Sequence, residues 1–191
     1  MKIARFAFCA AVLAASPAFA DLIYTGSLSN TGENSNSPGT GSVLVDINTV
    51  TQTMEVKVSF AGLIGTTTAS HIHCCTAVAD TGSAGVATQV PTFTGFPLGV
   101  TSGTYDHTFD LTLDSTYNPT FESAHGATAA GAEAALLGGL AAGEAYLNIH
   151  TSSFLGGEIR AFLTPVPEPA TVLLLGGALA GLAALRRRRV V

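Results

Sequence analysis

Alternating apolar and polar positions dominate the middle of this chain. In the segment 54–60 every second residue is apolar, and the residues between are Glu55, Lys57 and Ser59. The segment 105–113 repeats this pattern, with Asp106 and Asp110 among its polar positions. Successive side chains of a strand point to opposite faces, so both segments are predicted to be strands with one buried face.

Similar short runs recur along the chain, separated by clusters of Gly, Ser, Asn and Thr that are typical of turns. We predict about seven strands, at residues 22–28, 42–47, 54–60, 69–73, 105–113, 145–151 and 157–164. Residues 30–41 are predicted to form a surface loop, and the Ala- and Leu-rich segment 127–142 a short helix against the sheet edge. The fold class is therefore all-β, an antiparallel β-sandwich or a flattened barrel.

The N-terminal segment has the pattern of a secretory signal peptide. Lys2 and Arg5 precede an apolar stretch at 6–15, and the small residues Ala18 and Ala20 flank Phe19 at a typical cleavage site. We therefore predict that residues 1–20 are removed on export. The alternative, an N-terminal membrane anchor, is disfavoured because the apolar stretch is too short.

The C-terminal segment 165–191 combines a proline motif, an apolar run at 170–185 and a basic end. The motif residues are Pro167, Glu168 and Pro169, and the basic residues are Arg186, Arg187, Arg188 and Arg189. This order resembles the PEP-CTERM sorting signal of Gram-negative bacteria. The resemblance implies a separate hydrophobic helix, transient insertion into the inner membrane and removal of the tail by an exosortase-type processing enzyme. A plain tail anchor is the alternative.

The segment between these two signals, residues 21–164, is long enough for one domain and is strongly acidic. It carries twelve acidic residues against two cationic ones, a formal charge of −10. Nucleic acid and anionic lipid are excluded as partners, because binding either one requires a basic surface. The charge is consistent with an exported domain that meets cations.

Cysteine use fits export as well. Cys9 lies in the predicted signal peptide, which leaves Cys74 and Cys75 side by side. The exported compartment is oxidising, so two adjacent free thiols are not expected to persist there. We predict a vicinal disulfide; a thiolate contribution to a metal site and pairing with another molecule are the alternatives.

Three motifs in the predicted domain resemble the CHRD domain, named from chordin and common in exported bacterial proteins. They are Ser70-His71-Ile72-His73, then Tyr146-x-Asn148-x-His150-Thr151, and finally Gly156-Gly157-Glu158-Ile159-Arg160. The Cys74–Cys75 pair departs from the pattern, because Gly and Pro often follow the His-x-His motif in bacterial relatives. The resemblance implies a β-rich extracellular module with no established activity. Relatives that carry PEP-CTERM tails are associated with the extracellular polysaccharide and the biofilm matrix.

Strand alternation predicts a cluster of histidines. His71 and His73 share a face opposite Ile72, and His150 occupies the corresponding outward position of a later strand. If these strands adjoin, the three imidazoles are expected to bind zinc or copper, with Glu158 or water completing the shell. A structural polar network and a patch for partner recognition are the alternatives.

Enzyme motifs such as a nucleophile elbow, a phosphate-binding loop or a His-Glu-x-x-His sequence do not occur in the chain. We therefore expect a non-enzymatic structural or binding module of the cell envelope or the extracellular matrix, located at the cell surface or outside the cell. The competing hypothesis is an exported zinc or copper protein, with redox activity as a possible property.

Overall fold

Eight strands form two antiparallel sheets in the computed structural model, which describes residues 21–167. The larger sheet has the order β5-β3-β2-β1-β8. Its strands are β1 (Leu22–Leu28), β2 (Thr40–Asn48), β3 (Thr53–Ala61), β5 (Gly103–Asp110) and β8 (Thr164–Pro165). The smaller sheet has the order β4-β6-β7, with strands β4 (Thr67–His73), β6 (Tyr146–Thr151) and β7 (Ile159–Phe162). The predicted all-β fold is confirmed.

The larger sheet follows the alternation of the sequence. In β3, Met54, Val56 and Val58 are buried, whereas Lys57 and Ser59 between them are exposed. The same hydrophobic core contains Ile149 and Ile159 of the smaller sheet. Full burial of such aliphatic side chains contributes about 1.5–3 kcal/mol each, so this shared core holds the two sheets together.

The smaller sheet is buried on both faces. Most residues of β4, β6 and β7 are buried, including several at polar positions. The long connection between β4 and β5, residues 74–102, runs along the free edge of β4, where Ala87 N donates to Ile72 O at 2.9 Å and Phe93 N donates to Ser70 O at 3.1 Å. The connection also covers the polar face of the smaller sheet, since its carbonyls Pro91 O and Ala84 O contact the side chains of His71 and His73.

The segment between β5 and β6 is helical. It contains a 3₁₀ turn (Asp114–Thr116), the short helix α1 (Pro119–Ala124) and the longer helix α2 (Ala129–Ala142). Thr128 caps α2 by accepting from Gly131 N, and Gly143 ends it with a φ of 73°, a left-handed conformation that favours glycine. The predicted helix at 127–142 is found here, whereas α1 was not expected.

The predicted last strand, 157–164, is divided in the structure. Its first part is β7 in the smaller sheet, and its last part is β8, which pairs with β1 in the larger sheet. Leu163 lies between them, fully buried, with its N–H bonded to Ala145 O at 3.0 Å. The chain therefore changes sheets at the point where alternation alone predicts one continuous strand.

The predicted signal peptide and the predicted C-terminal hydrophobic helix both lie outside the described residues. Within residues 21–167, no helix is long and apolar enough to cross a membrane.

Cys74 and Cys75 follow β4 directly and form a disulfide in the structure. The pair packs against α2 at Gly139, where an added Cβ would overlap both sulfur atoms. The neighbouring Gly138 faces open space. Gly139 is therefore the position at which the helix can approach the disulfide closely.

We expect Gly139→Ala to destabilise the protein by about 1–3 kcal/mol, because the new methyl group forces helix and disulfide apart. Gly138→Ala is the matched control, and it should be neutral or stabilising by up to about 1 kcal/mol, since alanine favours a helix. Urea unfolding of both variants measures the difference. Equal effects of the two substitutions would contradict the close packing.

Candidate metal centre

The pairing of β4 with β6 brings three histidines onto one face of the smaller sheet. In the antiparallel register His71 lies opposite Asn148, His73 opposite Tyr146, and Ala69 opposite His150. Each histidine offers one ring nitrogen to a group in which these atoms all lie within 4.8 Å of one another. The structure thus brings together the three histidines that alternation placed on one strand face.

Backbone carbonyls of the covering loops hold each imidazole. His71 Nε2 lies 2.6 Å from Pro91 O, His73 Nδ1 2.9 Å from Ala84 O, and His150 Nδ1 2.9 Å from Leu155 O. A carbonyl oxygen only accepts hydrogen bonds, so the nitrogen that faces it must carry the proton. These contacts therefore fix the tautomer of each ring.

The opposite nitrogen of each ring is then left with a lone pair. These atoms are His71 Nδ1, His73 Nε2 and His150 Nε2, each buried without a hydrogen-bond partner in the described part of the chain. One N–H bonded to a carbonyl and one free lone pair is the arrangement by which proteins orient metal-ligating histidines.

Burial keeps the three rings neutral. It lowers the pKa of His71 and of His150, and the carbonyl hydrogen bonds offset this only in part. The pKa of His73 falls to about 4, first because of burial and then because of the neighbouring His150, His71 and Arg160, and the hydrogen bond to Ala84 O offsets this only in part. All three imidazoles are thus available as neutral ligands at neutral pH.

An aromatic stack supports His73 from the next strand. The ring of Tyr146 lies parallel to that of His73, with centroids 4.8 Å apart, and the Arg160 guanidinium carbon lies 4.8 Å from the Tyr146 centroid. Arg160 also donates to Gly82 O at 2.9 Å and lies 3.5 Å from Glu33 Oε1. Sequence reasoning missed Glu33, because its segment has only the pattern of a surface loop.

The prediction that His71 and His73 face outward is wrong. They are only 6% and 8% exposed, because the 74–102 connection covers this face of the sheet. Arg160 is 7% exposed beneath Gly82 and Glu33.

The expected position of Glu158 beside the histidines, where it would complete the metal shell, is wrong as well. Glu158 is fully buried and does not belong to the cluster. Its carboxylate accepts hydrogen bonds from Ser37 Oγ at 2.5 Å, Thr151 Oγ1 at 2.6 Å, Ile64 N at 2.5 Å and Gly65 N at 3.0 Å. Burial raises the pKa of Glu158, but these four hydrogen-bond donors together lower it by more than burial raises it, so the net shift is downward.

The reason lies just before β7. β7 begins at Ile159 and Glu158 lies in a bend before it, so the regular alternation of the strand does not extend back to Glu158. Its carboxylate meets Thr151, which lies on the face opposite His150, rather than the histidines.

The cysteines also lie apart from the cluster. Cys74 and Cys75 are joined to each other and are not among the grouped ligands in residues 21–167. Of the sorting motif, Pro167 is the last described residue; Glu168, Pro169, the four terminal arginines, Ala18 and Ala20 lie outside the described residues.

Two family models match the chain. The CHRD domain matches residues 24–163, and the PEP-CTERM protein-sorting motif matches residues 165–189. No curated protein and no solved structure matches the chain. Both resemblances seen in the sequence are confirmed. The sorting motif implies export, processing by an exosortase-type enzyme, and a location at the cell surface or outside the cell.

The buried histidines predict a pH-dependent stability of the metal-free protein. Unfolded histidine titrates near 6.5, whereas folded His73 titrates near 4, so the unfolded state binds more protons between these values. Stability should therefore fall as the pH falls from about 6.5 toward about 4, by about 1–2 kcal/mol from His73 alone at about pH 5.

Urea unfolding in chelator at about pH 7 and about pH 5 measures this loss, and His73→Gln should reduce it. A stability that stays constant over this range, or a loss unchanged in His73→Gln, would contradict the burial of a neutral ring.

Proposed function

Because the chain belongs to the CHRD domain family and carries a PEP-CTERM sorting motif, we propose that it is an exported protein that binds one zinc or copper ion through His71, His73 and His150. The observation that carries the proposal is a cluster of three histidines in the described residues whose ligand nitrogens lie within 4.8 Å of one another, and each ring keeps one buried nitrogen without a partner while its other nitrogen is bonded to a carbonyl.

The main alternative is a structural polar network. Such a network pairs each acceptor with a donor, and an acceptor left buried without one costs about 1–3 kcal/mol. Here three buried acceptors without a partner belong to one cluster, and one water molecule has only two hydrogens to donate. A single cation satisfies all three lone pairs at once, which favours metal binding over a network.

The ligand set supports zinc or copper. Neutral imidazole is a common ligand for both ions, whereas calcium and magnesium prefer oxygen. Zinc–nitrogen bonds of about 2.0–2.1 Å place tetrahedral ligands roughly 3.3 Å apart. The nitrogens within 4.8 Å of one another therefore close inward when the ion binds.

The charge of the domain supports a cationic ligand. Residues 21–164 carry a formal charge of −10, which raises the local concentration of cations around the protein. The proposed role is binding rather than catalysis. An envelope or matrix location, with polysaccharide as a neighbour, remains the expectation that follows from the sorting motif.

We expect the purified protein to bind one zinc or copper ion per chain, and we expect His150→Gln to weaken binding by at least about 10-fold, since it removes one of three ligands. His125→Gln is the matched control. His125 also bonds a backbone carbonyl, Phe121 O at 2.7 Å, but it lies outside the cluster.

Metal analysis and calorimetric titration measure the stoichiometry and the affinity. A metal concentration 100 times the Kd should also stabilise the wild type by about 2.7 kcal/mol. A large stability loss in His150→Gln without any metal binding by the wild type would show a structural network instead.

A further inference from the structure

The histidine cluster has only three protein ligands. In residues 21–167 no other His, Cys, Asp or Glu side chain joins the group. Zinc prefers four ligands, and sites with three protein ligands keep the fourth position for water or another small molecule. Glu158, which sequence reasoning placed here, is held by its own four donors.

Asn148 lies on the same face of the sheet as the cluster. It is directly opposite His71 in the register and two residues before His150 in β6. Its side chain is only 2% exposed. Asn148 is therefore a buried polar side chain beside the proposed ligands.

The orientation of the Asn148 amide is fixed by its neighbours. Nδ2 donates to Glu33 Oε1 at 3.2 Å and to Gly156 O at 3.3 Å, and both of these oxygens act as acceptors. The amide therefore cannot be turned around without losing both bonds. This leaves Oδ1 buried with no hydrogen-bond partner in the described residues.

The loop before β7 contacts the side chains of both His150 and Asn148. Leu155 O accepts from His150, and an added Cβ at Gly157 would strike the Asn148 amide. The glycine thus lets the backbone lie against the amide. The same short loop therefore contacts one proposed ligand, His150, and the side chain with the unpaired acceptor, Asn148. This shared contact links Asn148 to the cluster.

We propose that the bound metal keeps one coordination position open to water, and that Asn148 Oδ1 accepts a hydrogen bond from that water. This inference rests on the proposed metal site. An open position would make the site a receptor for small exogenous ligands rather than a closed structural centre. Asn148 is then a positioning residue that favours ligands able to donate a hydrogen bond.

Azide tests the open position. Cobalt(II) replaces zinc in such sites and reports changes in its ligands through visible absorption. Adding azide to the cobalt-loaded protein should change these bands in a saturable way as azide displaces water. Cobalt binding without any response to azide contradicts the open position alone, whereas no cobalt binding contradicts the metal site itself and this inference with it.

Asn148→Leu tests the acceptor. Azide has no hydrogen to donate, so Oδ1 favours water over azide in the wild type. Removing Oδ1 should therefore tighten azide binding by about five- to tenfold, the effect of one hydrogen bond. A purely structural role leaves azide affinity unchanged or weakens it, and either result contradicts the assignment.

Asn30→Leu is the matched control. Asn30 also donates a part-buried hydrogen bond, to Ser35 O at 3.3 Å, and lies in the segment that carries Glu33. The azide affinity of the cobalt-loaded Asn30→Leu variant should equal that of the wild type. If Asn148→Leu does not fold, a crystal structure of the metal-loaded wild type decides, since metal-bound solvent beyond about 3.2 Å from Asn148 Oδ1 overturns the proposal.

Discussion

The burial of a polar sheet face is the constraint on which this structure depends. Loops cover the side of the smaller sheet that carries His71, His73 and His150, so each polar atom there needs a partner within the protein. Backbone carbonyls of the covering loops take one N–H from each ring. The tautomers follow from this, and with them one unpartnered lone pair on each of the three clustered rings. The metal ion that we propose would complete an arrangement that is otherwise short of donors.

The surroundings of the cluster follow from the same constraint. The Arg160 guanidinium shares the covered face, where Glu33 and the Tyr146 ring accommodate it, and this group holds His73 in place. Asn148 bonds Glu33 and keeps its own oxygen unpaired. Ligands, ion pair and unpaired acceptor therefore form one connected layer beneath the loops.

Alternation in the sequence predicted most of the strands and the shared face of His71 and His73, because side-chain direction within one strand is a local property. It did not predict that β4 pairs with β6, which depends on chain topology, although it made the cluster conditional on that pairing. Alternation also could not predict that the histidines are buried, because a Gly- and Thr-rich connection has the sequence pattern of a solvent-exposed loop even where it covers a sheet. Glu158 was misplaced because it lies in a bend before β7, where strand alternation does not apply.

The central claim is that carbonyl hydrogen bonds hold three neutral imidazoles with their lone pairs toward one another. Long-range ¹⁵N–¹H NMR of the metal-free protein at neutral pH measures the tautomer of each ring directly. The account predicts a proton on Nε2 of His71 and on Nδ1 of His73 and His150, with the opposite nitrogens unprotonated. Positively charged rings, or the reverse tautomers, would contradict it.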